Sequence, residues 1–251
     1  MSIVVCDPII TLHRKHIPHL MEWYAANKAK HDLVLQMEIG RPLHKVQQNA
    51  VKVAQEIRAS HVLFTEHDHW GYPVDGLDVL LEHDREVIGL QSYQRGYPFM
   101  PMQMRKVNRA ISFLTKERNL QNFHAVAPVE ETDLITWAFT LVRTSVFDRI
   151  DAAGIDIWVW DEVPTDSHFC QACEDLGIPR YVCQEGVVNH GDVDHKQIPY
   201  WRRMFESLYA GLRQEAEAAM PAHDEDHAAE QIYETEVDKA IREAQQGEAV
   251  S

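Results

Sequence analysis

Residues 61–70, HVLFTEHDHW, decide the fold, because a mainly apolar run at 61–64 leads, through Thr65, into a group of acids and histidines. The run at residues 61–64 has the composition of a strand that is buried on both faces. Short runs of the same kind recur about every 30 residues, at 3–6, 33–35 and 86–90. Between the runs at 3–6, 33–35 and 61–64, residues 18–30 and 43–58 have apolar side chains at helical spacing. Alternating strands and helices predict a mainly parallel sheet joined by right-handed crossovers.

The pattern continues further along the chain with longer segments. Residues 134–143 are predicted to form one long strand, followed by a helix over 146–153 that Thr144 and Ser145 cap. Thr165 and Asp166 are predicted to cap a second helix, over 167–176. Two short strands are then predicted, at residues 180–183 and 187–190. Together these elements predict an α/β fold, a three-layer sandwich around a mainly parallel, mixed sheet.

Composition narrows the class of protein. The 251 residues carry 24 basic against 39 acidic side chains, a net charge of −15, which argues against binding nucleic acid through charge alone. No apolar run approaches the roughly 18 residues of a membrane helix, and the first residues lack the pattern of a signal peptide. We therefore expect a cytoplasmic protein with no membrane partner and with reduced cysteines.

The acidic charge is concentrated at the C-terminus. Residues 214–251 hold eleven acids against Lys239 and Arg242, a net charge of −9. The sequence thus predicts one α/β domain over residues 1–213 and an acidic tail, helical or flexible, over residues 214–251.

Ligands of parallel sheets bind outside the carboxyl ends of the strands, so chemistry is expected just after Phe64. Glu66 and Asp68 stand there, one residue apart. Carboxylates at this spacing project to the same side and offer oxygen ligands to Mg²⁺ or Mn²⁺, which can clamp a diphosphate. The pair therefore predicts a metal site at the end of the third strand.

Three blocks of sequence, in this order, resemble the GT-A class of nucleotide-sugar glycosyltransferases, especially the compact phage and bacterial forms. They are residues 61–90, residues 139–150 (FTLVRTSVFDRI) and residues 165–192 (TDSHFCQACEDLGIPRYVCQEGVVNHGD). With SIVVCDP at residues 2–8 they span about three quarters of the chain. The resemblance implies a GT-A-like (Rossmann-like) fold and transfer of a sugar from a nucleoside diphosphate sugar to a hydroxyl acceptor. Direct attack by that hydroxyl would invert the anomeric centre. The class of the acceptor is not determined, and a nucleic acid remains a possible one.

The resemblance also assigns roles to individual residues. It places an Mn²⁺ or Mg²⁺ ligand at Asp68, the first member of the acidic pair at Glu66, and a distant third ligand at His190. Glu66 departs from the usual Asp, so contact with ribose or with metal-bound water is an alternative for it. The general base falls on Asp166.

The general-base position is the least settled of these roles. The family often has a Glu-Asp pair there, and Thr165 replaces the Glu. Asp161 and Glu162 therefore remain competing candidates for the base.

The resemblance places donor contacts on three further segments. Asp7 and Pro8 correspond to the segment that holds the base of the nucleotide. Asn49 lies in the helix where the family often has an Arg-Asn pair, and here Gln48 precedes it. Lys196 lies where the family has a lid, as a contact to the diphosphate.

Two alternatives stay open at this point. Trp137 stands where the family has small residues, so the chain is alternatively a non-catalytic nucleotide-sugar-binding module whose pocket is narrowed or lined by that indole. The second alternative is a structural or interaction protein held by zinc, because three thiols and an imidazole could form a zinc site: Cys170, Cys173, Cys183 and His190.

Overall fold

The computed structural model describes residues 2–9, 13–94, 101–106, 120–122, 125, 127–159, 161 and 163–191. All of them belong to a compact unit that spans residues 1–95 and 100–195. The predicted domain boundary at 213/214 and the residues Glu162 and Lys196 lie outside the described residues. Their roles therefore stay predictions.

Ten strands and five helices are found in the described part of the chain. The strands are β1 (Ser2–Ile9), β2 (Asp32–Ile39), β3 (His61–Thr65), β4 (His69–Trp70), β5 (Val87–Ser92), β6 (Met104–Lys106), β7 (Leu120–Asn122), β8 (Val129–Thr132), β9 (Phe139–Arg143) and β10 (Arg180–His190). The helices are α1 (His16–Lys28), α2 (Leu43–Glu56), α3 (Gly76–Glu82), α4 (Thr144–Ala152) and α5 (Thr165–Asp175).

Eight of these strands form one mixed sheet in the order β2-β1-β3-β9-β5-β10-β4, with β8 paired to β10. β1 runs parallel to β2 and β3, and β5 runs parallel to β10. β9 lies antiparallel between β3 and β5, so these two strands share one direction. Five strands therefore run the same way, which confirms the predicted mainly parallel, mixed sheet.

Two hydrophobic clusters show that helices cover both faces of the sheet. Along β1, Val4 and Cys6 contribute to one cluster, and Ile3 and Val5 to the other, as the alternation of a strand requires. The first cluster also contains buried residues of α2, α4 and α5, and the second contains those of α1 and α3. The predicted three-layer α/β sandwich is confirmed.

Several predicted boundaries are wrong. The strand predicted over 134–143 begins only at Phe139. Residues 134–138 are buried but lie outside the eight-stranded sheet. Leu134 makes an isolated antiparallel bridge to Met104, and residues 137–138 turn before β9 begins. Their apolar composition reflects burial rather than strand pairing.

The predicted helix caps are also wrong. α4 begins at Thr144 itself and α5 at Thr165, so the N-cap positions fall on Arg143 and Pro164, and neither supplies a side-chain cap. The two short strands predicted near the end are one strand, β10, whose pairing shifts between Cys183 and Val187.

No helix in the described ranges combines the length and the apolar character needed to cross a membrane.

Candidate functional site

A short return of the chain creates the site. After β3 ends at Thr65, the chain comes back as the two-residue strand β4, which pairs antiparallel with the end of β10. His69 stands opposite His190 in this ladder, and the N–H of Gly191 donates to the carbonyl of Asp68 at 2.7 Å. This pairing joins the acidic segment after β3 to a strand end 122 residues later.

Asp68 and His190 are in direct contact. Nε2 of His190 lies 3.1 Å from Oδ2 of Asp68, while Nδ1 lies 2.9 Å from the carbonyl oxygen of Tyr93. Both ring nitrogens thus face oxygen atoms, and a cation shared by Nε2 and the carboxylate would satisfy this geometry. An imidazole that donates one N–H to a backbone carbonyl while its other nitrogen faces outward is the usual arrangement of a metal-ligating histidine.

His69 is the third member of the group, and it was not predicted from the sequence. Its ring stacks on that of His190, with centroids 4.2 Å apart, and its Nδ1 lies 3.1 Å from Oδ1 of Asp68. That nitrogen is not in hydrogen-bonding geometry, and Nε2 has no hydrogen-bond partner among the residues described. Burial lowers the pKa of His69 to about 4, so the ring is neutral and offers a lone pair.

These three side chains can hold a metal ion. One ligand atom from each of Asp68, His69 and His190 lies within 4.8 Å of the others. Burial opposes ionisation of Asp68, but the hydrogen bond from His190 and the close approach of the His69 ring outweigh it and hold the pKa of that carboxyl well below its usual range. One carboxylate and two imidazoles suit a transition ion better than Mg²⁺, which prefers oxygen ligands.

Glu66 is placed beside this group but not within it. Its Oε2 lies 3.5 Å from Nδ1 of His69, and its side chain is 20% exposed. The metal role predicted for Glu66 therefore stays a prediction, and His69 occupies the third position in the cluster.

Asp7 is brought to the same region, but it is fully buried. Its Oδ1 accepts hydrogen bonds from Nε2 of His16 at 2.9 Å and from the hydroxyl of Thr65 at 2.8 Å. Nδ1 of His16 lies 2.6 Å from the carbonyl oxygen of His69, so both of its nitrogens face acceptors. Burial lowers the pKa of His16, but the hydrogen bond to Asp7 and the charge of that carboxylate outweigh this and raise the pKa above its usual value.

The base-binding role predicted for Asp7 and Pro8 stays a prediction, although their place in the fold differs from the predicted turn. Both residues lie inside β1, which continues to Ile9 instead of turning after Cys6. In this structure Asp7 anchors His16 and, through it, the segment that ends at His69.

Asn49 lies on α2, and its side chain binds Glu38. Glu38 was not predicted from the sequence as a site residue. The amide of Asn49 donates to Oε1 of Glu38 at 3.0 Å, and Arg41 lies 3.1 Å from Oε2 of the same carboxylate. Gln36 donates to Glu38 as well, at 3.1 Å. Glu38 stands at the carboxyl end of β2, a position that could have marked it as a candidate.

Asp166 lies in the first turn of α5. Because α5 leads into the parallel strand β10, the N-terminus of α5 lies at the carboxyl ends of the parallel strands. Asp68 lies at the same end of the sheet. Burial raises the pKa of Asp166 to about 6, although N–H groups of Ser167 and of Asp166 itself lower it. This value suits a general base near neutral pH.

The competing candidate Asp161 is less suited to this role. It is exposed, and its Oδ1 accepts from His168 at 3.1 Å and from the N–H of Val163 at 2.7 Å. These hydrogen bonds lower its pKa, the bond from His168 most of all. A carboxylate stabilised in this way is a weaker proton acceptor than Asp166.

The predicted zinc set is not assembled. Cys170 and Cys173 belong to the cluster on the α2, α4 and α5 face, whereas Cys183 belongs to the cluster on the opposite face of the sheet. His190 contacts Asp68 instead. The four residues cannot therefore share one ion.

Trp137 is a core residue. It is 1% exposed and packs between Phe64 and Phe169, with centroids at 4.2 and 4.7 Å, and its indole N–H donates to Thr165. The buried indole is therefore not available to line a pocket, as the binding-module alternative had allowed.

Gly71 allows the turn that follows β4. Its φ of +69° is in the left-handed region, and a Cβ there would collide with the side-chain amide of Asn189, one residue before His190. We expect Gly71→Ala to lower the free energy of unfolding by about 2–3 kcal/mol, from backbone strain and this collision together. Chemical denaturation measures it.

Gly154→Ala is the matched control for this prediction. Gly154 has nearly the same φ, +70°, but nothing lies within 4 Å of the position that a Cβ would take. Its substitution should therefore cost only about 1 kcal/mol. Equal losses for the two variants would contradict the collision with Asn189.

Comparisons with known proteins extend to the fold alone. No protein-family model matches the chain, and no curated protein matches it in sequence. Among solved structures, it is similar to A197 from STIV, with a TM-score of 0.51 and 12% identity over 77% of this chain and 87% of that one. A second solved structure, the inositol-1-phosphate CTP transferase from T. maritima, has a TM-score of 0.41 and 8% identity over 80% of this chain and 94% of that one.

Proposed function

We propose that this chain is a metal-dependent glycosyltransferase, which moves a sugar from a nucleoside diphosphate sugar to a hydroxyl acceptor. The observation that carries the proposal is the convergence of Asp68, His69 and His190 at the carboxyl ends of the strands of a mainly parallel sheet. Ligands of such sheets bind at these strand ends. The resemblance of the three sequence blocks to GT-A enzymes supports the same function.

Asp68, His69 and His190 would hold the ion, and Mn²⁺ fits this mixed set of nitrogen and oxygen donors better than Mg²⁺. When bound, the ion supplies charge neutralisation to the departing diphosphate. The chain fixes its ligands before the donor arrives. His190 is tied to Tyr93, and the carbonyl of His69 accepts from the hydroxyl of Tyr72 at 3.1 Å.

Asp166 would act on the acceptor. Its carboxylate takes the proton of the acceptor hydroxyl while that oxygen bonds to the anomeric carbon and the bond from that carbon to the diphosphate breaks. Direct attack of this kind inverts the anomeric centre. Thr165, the residue before Asp166, fixes this first turn of α5, because its hydroxyl donates to the side-chain oxygen of Gln47 of α2 at 2.8 Å.

The donor's ribose and base would lie near the ends of β1 and β2. Glu38 supports this placement, because Gln36, Arg41 and Asn49 hold its carboxylate at the end of β2. A carboxylate fixed in this way can accept hydrogen bonds from ribose hydroxyls or from a base N–H.

The test is release of nucleoside diphosphate from a panel of nucleotide sugars with Mn²⁺, Mg²⁺ or a chelator. We expect release from at least one donor, faster with Mn²⁺ than with Mg²⁺, and none with the chelator. Binding of donors without release from any of them, with hydroxyl acceptors present, would contradict catalysis and favour the binding module.

A further inference from the structure

A second set of metal-ligating side chains lies where the end of α3 faces β10. His83 is the C-cap residue that follows α3, and Cys183 and Glu185 stand two residues apart on β10. A ring nitrogen of His83, Sγ of Cys183 and a carboxylate oxygen of Glu185 all lie within 4.8 Å of one another. None of the three belongs to the candidate functional site.

A bulge in β10 shapes this place. The parallel pairing with β5 passes from Cys183 opposite Leu90 directly to Val187 opposite Gln91, so residues 184–186 are additional. Gln184 is bound to the neighbouring segment, its N–H donating to Pro128 at 2.9 Å. Bulges commonly redirect side chains beside functional sites.

The nitrogen of His83 needs an explanation. Its Nε2 is shielded from solvent and has no hydrogen-bond partner in the described part of the chain, and Oε1 of Glu185, at 3.7 Å, is too far to be one. Buried polar atoms are rarely left unpaired. A cation between this nitrogen, the buried thiol of Cys183 and the half-exposed carboxylate of Glu185 would satisfy all three.

We propose that His83, Cys183 and Glu185 form a second metal site, for a divalent cation of the zinc class. Sulfur, imidazole nitrogen and carboxylate oxygen are the ligands that Zn²⁺ takes, and a thiolate disfavours Mg²⁺ and Ca²⁺. Three protein ligands leave a fourth position for water or a further ligand. The proposal does not depend on the proposed glycosyl transfer.

The site would have a structural consequence for the candidate site. Cys183 precedes His190 by seven residues on the same strand, with the bulge between them. An ion bound at His83, Cys183 and Glu185 ties this bulge to α3 and so fixes the strand that presents His190.

Cobalt substitution tests the proposal on the full chain. Co²⁺ is titrated into metal-free protein, and the thiolate-to-cobalt charge-transfer absorption is followed. Because Asp68, His69 and His190 include no sulfur, this absorption reports only a site that contains a cysteine. We expect the absorption to saturate within two equivalents of Co²⁺, because Asp68, His69 and His190 can bind a second ion without contributing to it. Zn²⁺ should remove the absorption by displacing Co²⁺ from the cysteine-containing site.

Variants assign the ligands. Cys183→Ser should abolish the absorption, whereas Cys173→Ser, which changes a thiol buried on the other face of the sheet, should keep it. His83→Gln leaves every thiol in place and should weaken Co²⁺ binding by at least about 100-fold. If circular dichroism shows that Cys183→Ser does not fold, the His83→Gln variant decides the question. Absence of the absorption in the wild type, or unchanged binding in a folded His83→Gln, would overturn the proposal.

Discussion

Replacing Asp68 by Asn is expected to abolish metal-dependent release of nucleoside diphosphate. Asp68 supplies the only carboxylate among the three converging groups, and its oxygens contact both imidazoles at 3.1 Å. Asn keeps the shape but removes the negative charge that a divalent cation needs. Loss of several kcal/mol of charge stabilisation corresponds to a fall in rate of about 1000-fold or more. Initial rates with and without Mn²⁺ measure the effect.

Asp78→Asn is the matched control. Asp78 is a half-exposed acid on α3, bound to Lys30 at 3.0 Å and to His31 at 2.8 Å. The same chemical change there should alter the rate by less than about two-fold, because surface ion pairs contribute little. Binding of Mn²⁺, followed by its electron paramagnetic resonance signal, should be weakened only in Asp68→Asn. Full activity of Asp68→Asn would remove this residue from the site and, with it, the main support for the proposed function.

The sequence predicted the layers of the fold because their signals are local. The runs at 3–6, 33–35 and 61–64 become β1, β2 and β3, and the stripe over 43–58 becomes α2. Burial and strand formation separate at residues 134–138. These residues are as apolar as a strand, but whether a segment joins a sheet depends on the partner it meets, and that partner is remote in sequence.

The same distinction explains what was predicted of the site. Asp68 and His190 were paired only through the resemblance, since nothing local relates positions 122 residues apart. His69 was missed because its role depends on β4, a strand of two residues with no compositional signal, which pairs with β10. Glu38 was missed because its importance lies in three side chains that converge on it, from β2, from α2 and from the connection between them.

Replacing Asp166 by Asn is expected to separate glycosyl transfer from stability. As the general base, Asp166 should contribute about 100- to 10,000-fold to transfer. Wild-type transfer should fall as the pH drops through about 6, because the carboxyl with a pKa of about 6 takes up a proton and can no longer accept one. The residual transfer of Asp166→Asn should lack this dependence. Rates between pH 4.5 and 8.5 measure both effects.

The stability of this variant should change in the opposite direction. The pKa of Asp166 is raised from 3.8 to about 6 in the folded chain, so folding favours its neutral form and loses stability as the pH rises through that interval. Asn resembles the neutral form. Asp166→Asn should therefore unfold at about the same denaturant concentration as wild type near pH 3.5. At pH 7.5 it should be more stable by about 2 kcal/mol, less than the full shift implies because the side chain is partly exposed.

Asp175→Asn makes the same change at the other end of α5. Asp175 is exposed and accepts a hydrogen bond from Gln171 at 2.8 Å. It should leave transfer within about two-fold of wild type and, as an exposed substitution, should change the free energy of unfolding by no more than about 0.5 kcal/mol. If Asp166→Asn alone loses transfer and gains stability, Asp166 is a desolvated carboxylate that serves catalysis. A residue with a purely structural role would not be expected where its ionised form lowers the stability of the fold. Transfer that keeps its full rate in Asp166→Asn would instead return the role of base to Asp161 or Glu162.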